Sequence, residues 1–95
     1  MADSIVLPVH ALTLEQGFGH AIRGLRKARA LRQADLAAAT GFHERAIRAL
    51  ERGEKSPTLR TMEVFATFFG VPLEQLIVMA KDACEKSRAT QAVTA

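Results

Sequence analysis

Ninety-five residues, 48% of them hydrophobic, make one small domain with a modest core. No stretch approaches the roughly 18 apolar residues of a membrane span, and the start, MADSIVLPV, lacks a basic segment before its apolar run, so neither a membrane helix nor a secretory signal is expected. One cysteine, Cys84, excludes an internal disulfide and fits a reducing, cytoplasmic setting, while the net charge of +3 conceals ten Lys/Arg against four Asp/Glu between residues 23 and 60.

Thr13-Leu-Glu-Gln16 has capping-box spacing, with Thr13 as N-cap and Gln16 reaching back. Leu14, Phe18, Ile22 and Leu25 then recur at helical spacing, which predicts a first helix to about Ala30. Gly17, Gly19 and Gly24 weaken it, but glycines within a helix also allow a neighbour to come close. A second helix is expected over about Gln33–Thr40, with Leu36 and Ala37 inward and Gly41 ending it. A third runs from about Glu44 to Arg52 and stops at Gly53. Ser56-Pro57 reads as N-cap and first-turn proline of a fourth helix to Phe69, burying Leu59, Met62, Phe65, Ala66 and Phe69. Gly70 stops that helix and Pro72 opens a fifth, with Leu73, Leu76, Ile77, Ala80 and Cys84 on one face. From Lys86 onward the chain is expected to fray. The layout is thus an N-terminal extension over 1–12, a domain over 13–85 and a flexible tail over 86–95. Abundant alanine, no Trp or Tyr, and short connections make the fold class all-α, with five short helices.

The third helix carries the chemistry. With about 100° per residue and Ile47 at zero, Leu50 falls near 300° and Glu51 near 40°. The inner arc is therefore Ile47, Leu50 and Glu51. Arg48 falls near 100°, Arg52 near 140°, Arg45 near 160° and Ala49 near 200°, so the outer arc is three arginines and a small residue. A basic helix of this width fits the major groove of B-DNA, where arginine donates bidentate hydrogen bonds to guanine or binds phosphate. Two roles fit Glu44: accepting from a cytosine amino group, or favouring the helix N-terminus. Ala49 either admits a base or thymine methyl or serves as a filler with good helix propensity. The basic middle of the chain has two readings as well, a nucleic-acid surface or a solvated basic face.

The stretch FGHAIRGLRKARALRQADLAAATGFHERAIRALERGEKSPTLRTMEVFATFFGVPLEQL, from residue 18 to about 77, resembles the Cro/repressor-type (XRE) helix-turn-helix family. The resemblance rests on the combination of LR, QADLA, the turn glycine, the Ile/Leu pair, ERG, the following proline and FGVPLEQL. It implies a compact, lambda-repressor-like five-helix domain that binds double-stranded DNA. Gln33 matches the glutamine that opens the second helix, contacts phosphate and braces the reading helix. Ala37, Gly41, Ile47 and Leu50 match the small crossing residue, the turn glycine and the apolar anchors. Glu44, Arg45, Arg48 and Ala49 fall on the base-facing positions. Arg52, Lys55, Ser56 and Thr58 fall in the phosphate-touching loop. Arg26 and Glu51 match the arginine and glutamate that pair between helix one and the reading helix. The other reading of Glu51 is an exposed partner of Arg48 or Lys55. Where relatives cap helices two and three with Ser, Thr or Asn, this chain has Arg32 and His43, both better suited to a phosphate than to capping.

The phosphate candidates are Arg23, Lys27, Arg29, Arg32, Gln33, His43, Arg52, Lys55 and Thr58. His10, His20, His43 and Cys84 lack metal-ligand spacing, and no phosphate-cradling loop or acid–base constellation is present, so neither metal, cofactor nor enzymatic activity is expected. Cys84 reads as core. Two apolar features suggest protein contact: IVLPV at 5–9, and Val78 with Met79 off the buried stripe of helix five. The expected function is sequence-specific binding of double-stranded DNA by a transcriptional regulator, a dimeric repressor on a palindromic operator. The alternative is an antitoxin or adaptor that holds a partner protein.

Overall fold

A computed structural model describes residues 12–94, with side chains to Ser87; the IVLPV segment and His10 lie outside the described residues. Five helices follow in order: α1 (Leu14–Ala28), α2 (Gln33–Thr40), α3 (Glu44–Arg52), α4 (Leu59–Phe69) and α5 (Leu73–Thr94). α1 packs most extensively against α5 and next against α3, while α2 meets α3 and α4 meets α5. No single described helix is long and apolar enough to cross a membrane.

Local signals account for most helix ends. The Thr13 hydroxyl accepts from the Gln16 amide at 3.1 Å, and Gln16 Oε1 accepts from the Thr13 amide at 2.9 Å, closing the capping box that starts α1. α1 ends at Ala28, two residues before the periodicity suggests, because Ala30 takes a left-handed φ of 56°. The Leu31 and Ala30 amides then turn back to the carbonyls of Arg26 and Lys27. Gly41 and Gly53 end α2 and α3 with φ of 83° and 73°, the conformation that glycine adopts without a Cβ clash.

Three expectations are corrected. The N-cap of α4 is Thr58, not Ser56: Thr58 is extended and its hydroxyl accepts from the Thr61 amide at 3.0 Å, while Ser56 Oγ donates to Glu15 Oε2. Leu59 and Leu14 sit on apolar stripes yet are 70% and 57% exposed. Both lie at the first position of their helix, and periodicity names a face without saying how far along it the neighbours reach. On α5, Ile77 lies at the surface rather than in the core.

The core is Phe18, Ile22, Leu36, Ile47, Leu50, Phe65, Phe69, Leu76 and the alanines between them. Phe65 is its centre, meeting Phe18 edge-on and Phe42 at a ring separation of 5.5 Å. Phe42 belongs to the turn between α2 and α3, so that turn is pinned to α4 by an aromatic contact. Cys84 is half-buried and its thiol donates to the Thr13 carbonyl at 3.3 Å, which ties α5 to the start of α1.

Candidate nucleic-acid interface

α3 separates its two faces sharply. Ile47 and Leu50 are buried in the core, and Glu51 is buried beside them. A carboxylate there needs partners, and it has three donors. Arg26 Nε donates to Glu51 Oε2 at 2.7 Å, and Arg26 Nη2 donates to Oε1 at 2.9 Å, a bidentate fork. Gln33 Nε2 donates to the same Oε1 at 3.1 Å. The remaining Arg26 nitrogen, Nη1, donates to the Leu31 carbonyl at 2.8 Å. α1, the α1–α2 turn, α2 and α3 thus converge on one ion pair whose side chains are only 10% and 4% exposed. The hydrogen bonds it donates to Glu51 hold the Arg26 guanidinium above its ordinary pKa against the opposing effect of burial. Gly19 brings α1 against the backbone of α3 at Leu50 and Glu51, so the helix is located by close packing as well as by charge.

The outer face stands clear of this web. Glu44 and Arg45 are exposed and Arg48 and Ala49 half-buried. His43, Glu44, Arg45, Ala46, Ala49, Glu54 and Lys55 line one depression between α3 and the turn that follows it. Ala46 and Glu54 are members that the helical arc does not single out; Ala46 lies on the flank between the arcs, and Glu54 is brought in by the Gly53 turn. Arg48 and Arg52 lie outside that depression, Arg48 paired with Glu44 at 3.0 Å and Arg52 with Glu54 at 3.7 Å. His43 is the N-cap residue of α3 but its ring makes no capping hydrogen bond. On α1, Arg23 and Lys27 fall about 100° and 140° round from Ile22, on the side that carries Gly19 and Arg26 toward α3. Thr58 and Lys55 are exposed after α3, though the Thr58 hydroxyl is engaged in capping α4.

Two further basic candidates have partners inside the protein. Arg29 is held at the end of α4: Nη2 and Nη1 donate to the Phe69 and Phe68 carbonyls at 2.6 and 3.3 Å, and the guanidinium lies 5.2 Å over the Phe69 ring. The last carbonyls of α4 lack helical partners and carry the negative end of its dipole, so a cation there is well placed. Arg32 is the N-cap of α2, and a guanidinium cannot accept the capping hydrogen bond. Asp35 supplies the reach-back instead, accepting from the Arg32 amide at 2.9 Å while Arg32 Nε and Nη2 hold the same carboxylate at 3.1 and 2.9 Å.

That contact has a measurable signature. The Arg32 side chain, then its amide, hold the Asp35 carboxyl at about 2, below its ordinary 3.8. A depressed carboxylate contributes stability above its unfolded pKa and loses it as pH falls through the folded one. The α2 N-terminal tie is therefore expected to persist at pH 4 and release toward pH 2. Carbon-detected NMR titration of the Asp35 carboxyl is the check; a midpoint near the ordinary value would show that solvent screens the pair.

A buried scaffold face, a basic outer face and a glycine turn between two crossing helices define a helix-turn-helix protein. The model of the helix-turn-helix family matches residues 22–76, more than half the chain, and the chain belongs to that family, of Cro/repressor (XRE) type. Its members are DNA-binding transcription regulators. Over 60 residues the chain is 40% identical to the cryptic phage CTXphi transcriptional repressor RstR of Vibrio cholerae, covering 63% of this chain and 54% of the repressor. The chain thus spans about half the length of that curated relative. The clp gene regulator ClgR of Corynebacterium glutamicum has the same fold, with a TM-score of 0.82 at 19% identity over 88% of this chain and 89% of ClgR. The restriction-modification controller protein C.AhdI of Aeromonas hydrophila superposes with a TM-score of 0.61 at 29% identity, over 65% of this chain and 94% of that protein.

Proposed function

We propose that this chain binds double-stranded DNA by laying the outer face of α3 in the major groove, and that it acts as a dimeric repressor on a palindromic operator. The observation that carries the reading is the division of α3: Ile47, Leu50 and Glu51 hold it from within, leaving Arg45, Arg48 and Ala49 outward. Glu44, Arg45, Arg48 and Ala49 are the residues assigned to base edges. Arg23, Lys27, Arg29, Arg32, Gln33, His43, Arg52, Lys55 and Thr58 are those assigned to phosphates. Repression is supported by the similarity to a phage repressor. Dimerisation is supported by exposed Ile77 and Val78 on α5 and by Leu14, which shares a cleft with Pro57, Met62 and Ile77. A twofold dimer would place two copies of α3 about 34 Å apart, in successive major grooves. The proposed location is the cytoplasm, on the nucleoid when DNA is bound.

The experiment is selection from a random duplex library, followed by binding at several salt concentrations. Arg45→Ala is expected to lose roughly 1–3 kcal/mol of affinity and to relax the preference at one base pair, as removal of a bidentate guanine contact does. A uniform loss on every duplex would assign Arg45 to phosphate instead. The same apolar surface supports a second reading, an antitoxin or adaptor that holds a partner protein there. Co-purification without DNA separates the two.

A further inference from the structure

Glu44 lies one helical turn before Arg48 on the outer face of α3, with Oε2 3.0 Å from Arg48 Nη2 and both side chains nearly half exposed. Arg45, beside it, has no ion-pair partner among the described residues. Of the three guanidiniums on that face, Arg48 and Arg52 are each held by a carboxylate, from Glu44 and Glu54, and Arg45 is not. A guanidinium has five N–H donors, and Glu44 lies against one nitrogen of the fork. The other donors remain for a ligand, but the carboxylate changes which ligand fits. A phosphate oxygen that approaches Arg48 carries its charge toward Glu44, and like charges at that range repel. A guanine edge brings two neutral acceptors, O6 and N7, and no such repulsion.

We infer that Glu44 is a positioning residue that, through Arg48, confines this arginine to neutral base edges and so sets the margin between chosen and arbitrary DNA. The inference rests on the DNA-binding reading above. Glu44 works by exclusion: it weakens binding to arbitrary duplex more than binding to the selected site.

The test uses Glu44→Gln, which keeps the size of the side chain and removes its charge, with helical circular dichroism confirming the fold. The probes are the duplex that the wild-type chain selects and a random duplex of equal length. The ratio of selected to random affinity is expected to fall about tenfold, driven by a rise in affinity for the random duplex. The slope of log affinity against log salt on random DNA should steepen by about 0.9, as one phosphate contact is gained. In an Arg48→Ala background Glu44→Gln should leave the ratio where it was, because the arginine through which it acts is gone. The inference is overturned if the wild type discriminates and Glu44→Gln keeps the ratio, or if the ratio falls equally without Arg48. A wild type that does not discriminate at all would instead remove the sequence-specific reading of DNA, and this inference with it.

Discussion

Glu51→Ala is expected to cost the fold roughly 3–5 kcal/mol, because it strands a buried guanidinium. Arg26 is buried, and two of its three side-chain hydrogen bonds end on Glu51. The substitution leaves Nε and Nη2 without acceptors in a place that water reaches poorly, and frees Gln33 Nε2 as well. Stabilities of whole domains are only about 5–15 kcal/mol, so a single change of this size leaves a chain of this length close to unfolding. Urea titration gives the value directly. The double variant Arg26→Met, Glu51→Leu should be less damaged than Glu51→Ala, since neither charge then remains buried. A loss below about 1 kcal/mol for the single variant would mean that the pair is solvated and behaves like a surface ion pair. DNA binding should fall along with stability, because the tie that fixes the pitch of α3 against α1 is this pair.

Gly19→Ala should destabilise the domain by roughly 1–3 kcal/mol, against the direction that helix propensity alone gives. A methyl group at Gly19 would meet the carbonyl oxygens of Leu50 and Glu51 and, at 2.8 Å, the Glu51 carbonyl carbon. These are backbone atoms and cannot rotate away, so α1 and α3 must separate. Separation also lengthens the Arg26–Glu51 fork, which spans the same two helices. Gly24 is the internal control, because a methyl there meets nothing within 4 Å. Gly24→Ala is expected to gain about 0.5–1 kcal/mol from helix propensity and the smaller entropy of the unfolded chain. Thermal unfolding of the two variants side by side gives shifts of opposite sign; equal shifts would show that α1 yields at Gly19 without strain.

How much of this is legible in the sequence depends on how local the cause is. The ends of α2 and α3 are legible because Gly41 and Gly53 act within a few residues. The two faces of α3 follow from rotation per residue, and their burial is as that arithmetic has it. The Arg26–Glu51 fork crosses 25 positions and no local rule contains it; the family resemblance supplies it. Where a residue's neighbours arrive from farther away, pattern misleads. Arg29 looks like one more cation in a basic run, and only the arrival of the α4 terminus, 40 residues on, reveals its carbonyl partners. Leu14 and Leu59 obey periodicity but stand where no helix covers them. Phe42 falls in a turn, where no period applies, yet packs on the central ring of the core. The Glu44–Arg48 pair does have a local sign, spacing i,i+4, but the same spacing equally suits two residues facing a ligand.

Because the inward positions of α3 do all the anchoring, residues 44, 45, 48, 49 and 52 are released from upkeep of the architecture. Substitutions on such solvent-facing sites typically alter stability by no more than about 0.5 kcal/mol. On the proposed role of these residues in reading DNA, a lineage can thus drift toward a new genomic address one codon at a time, without passing through misfolded intermediates.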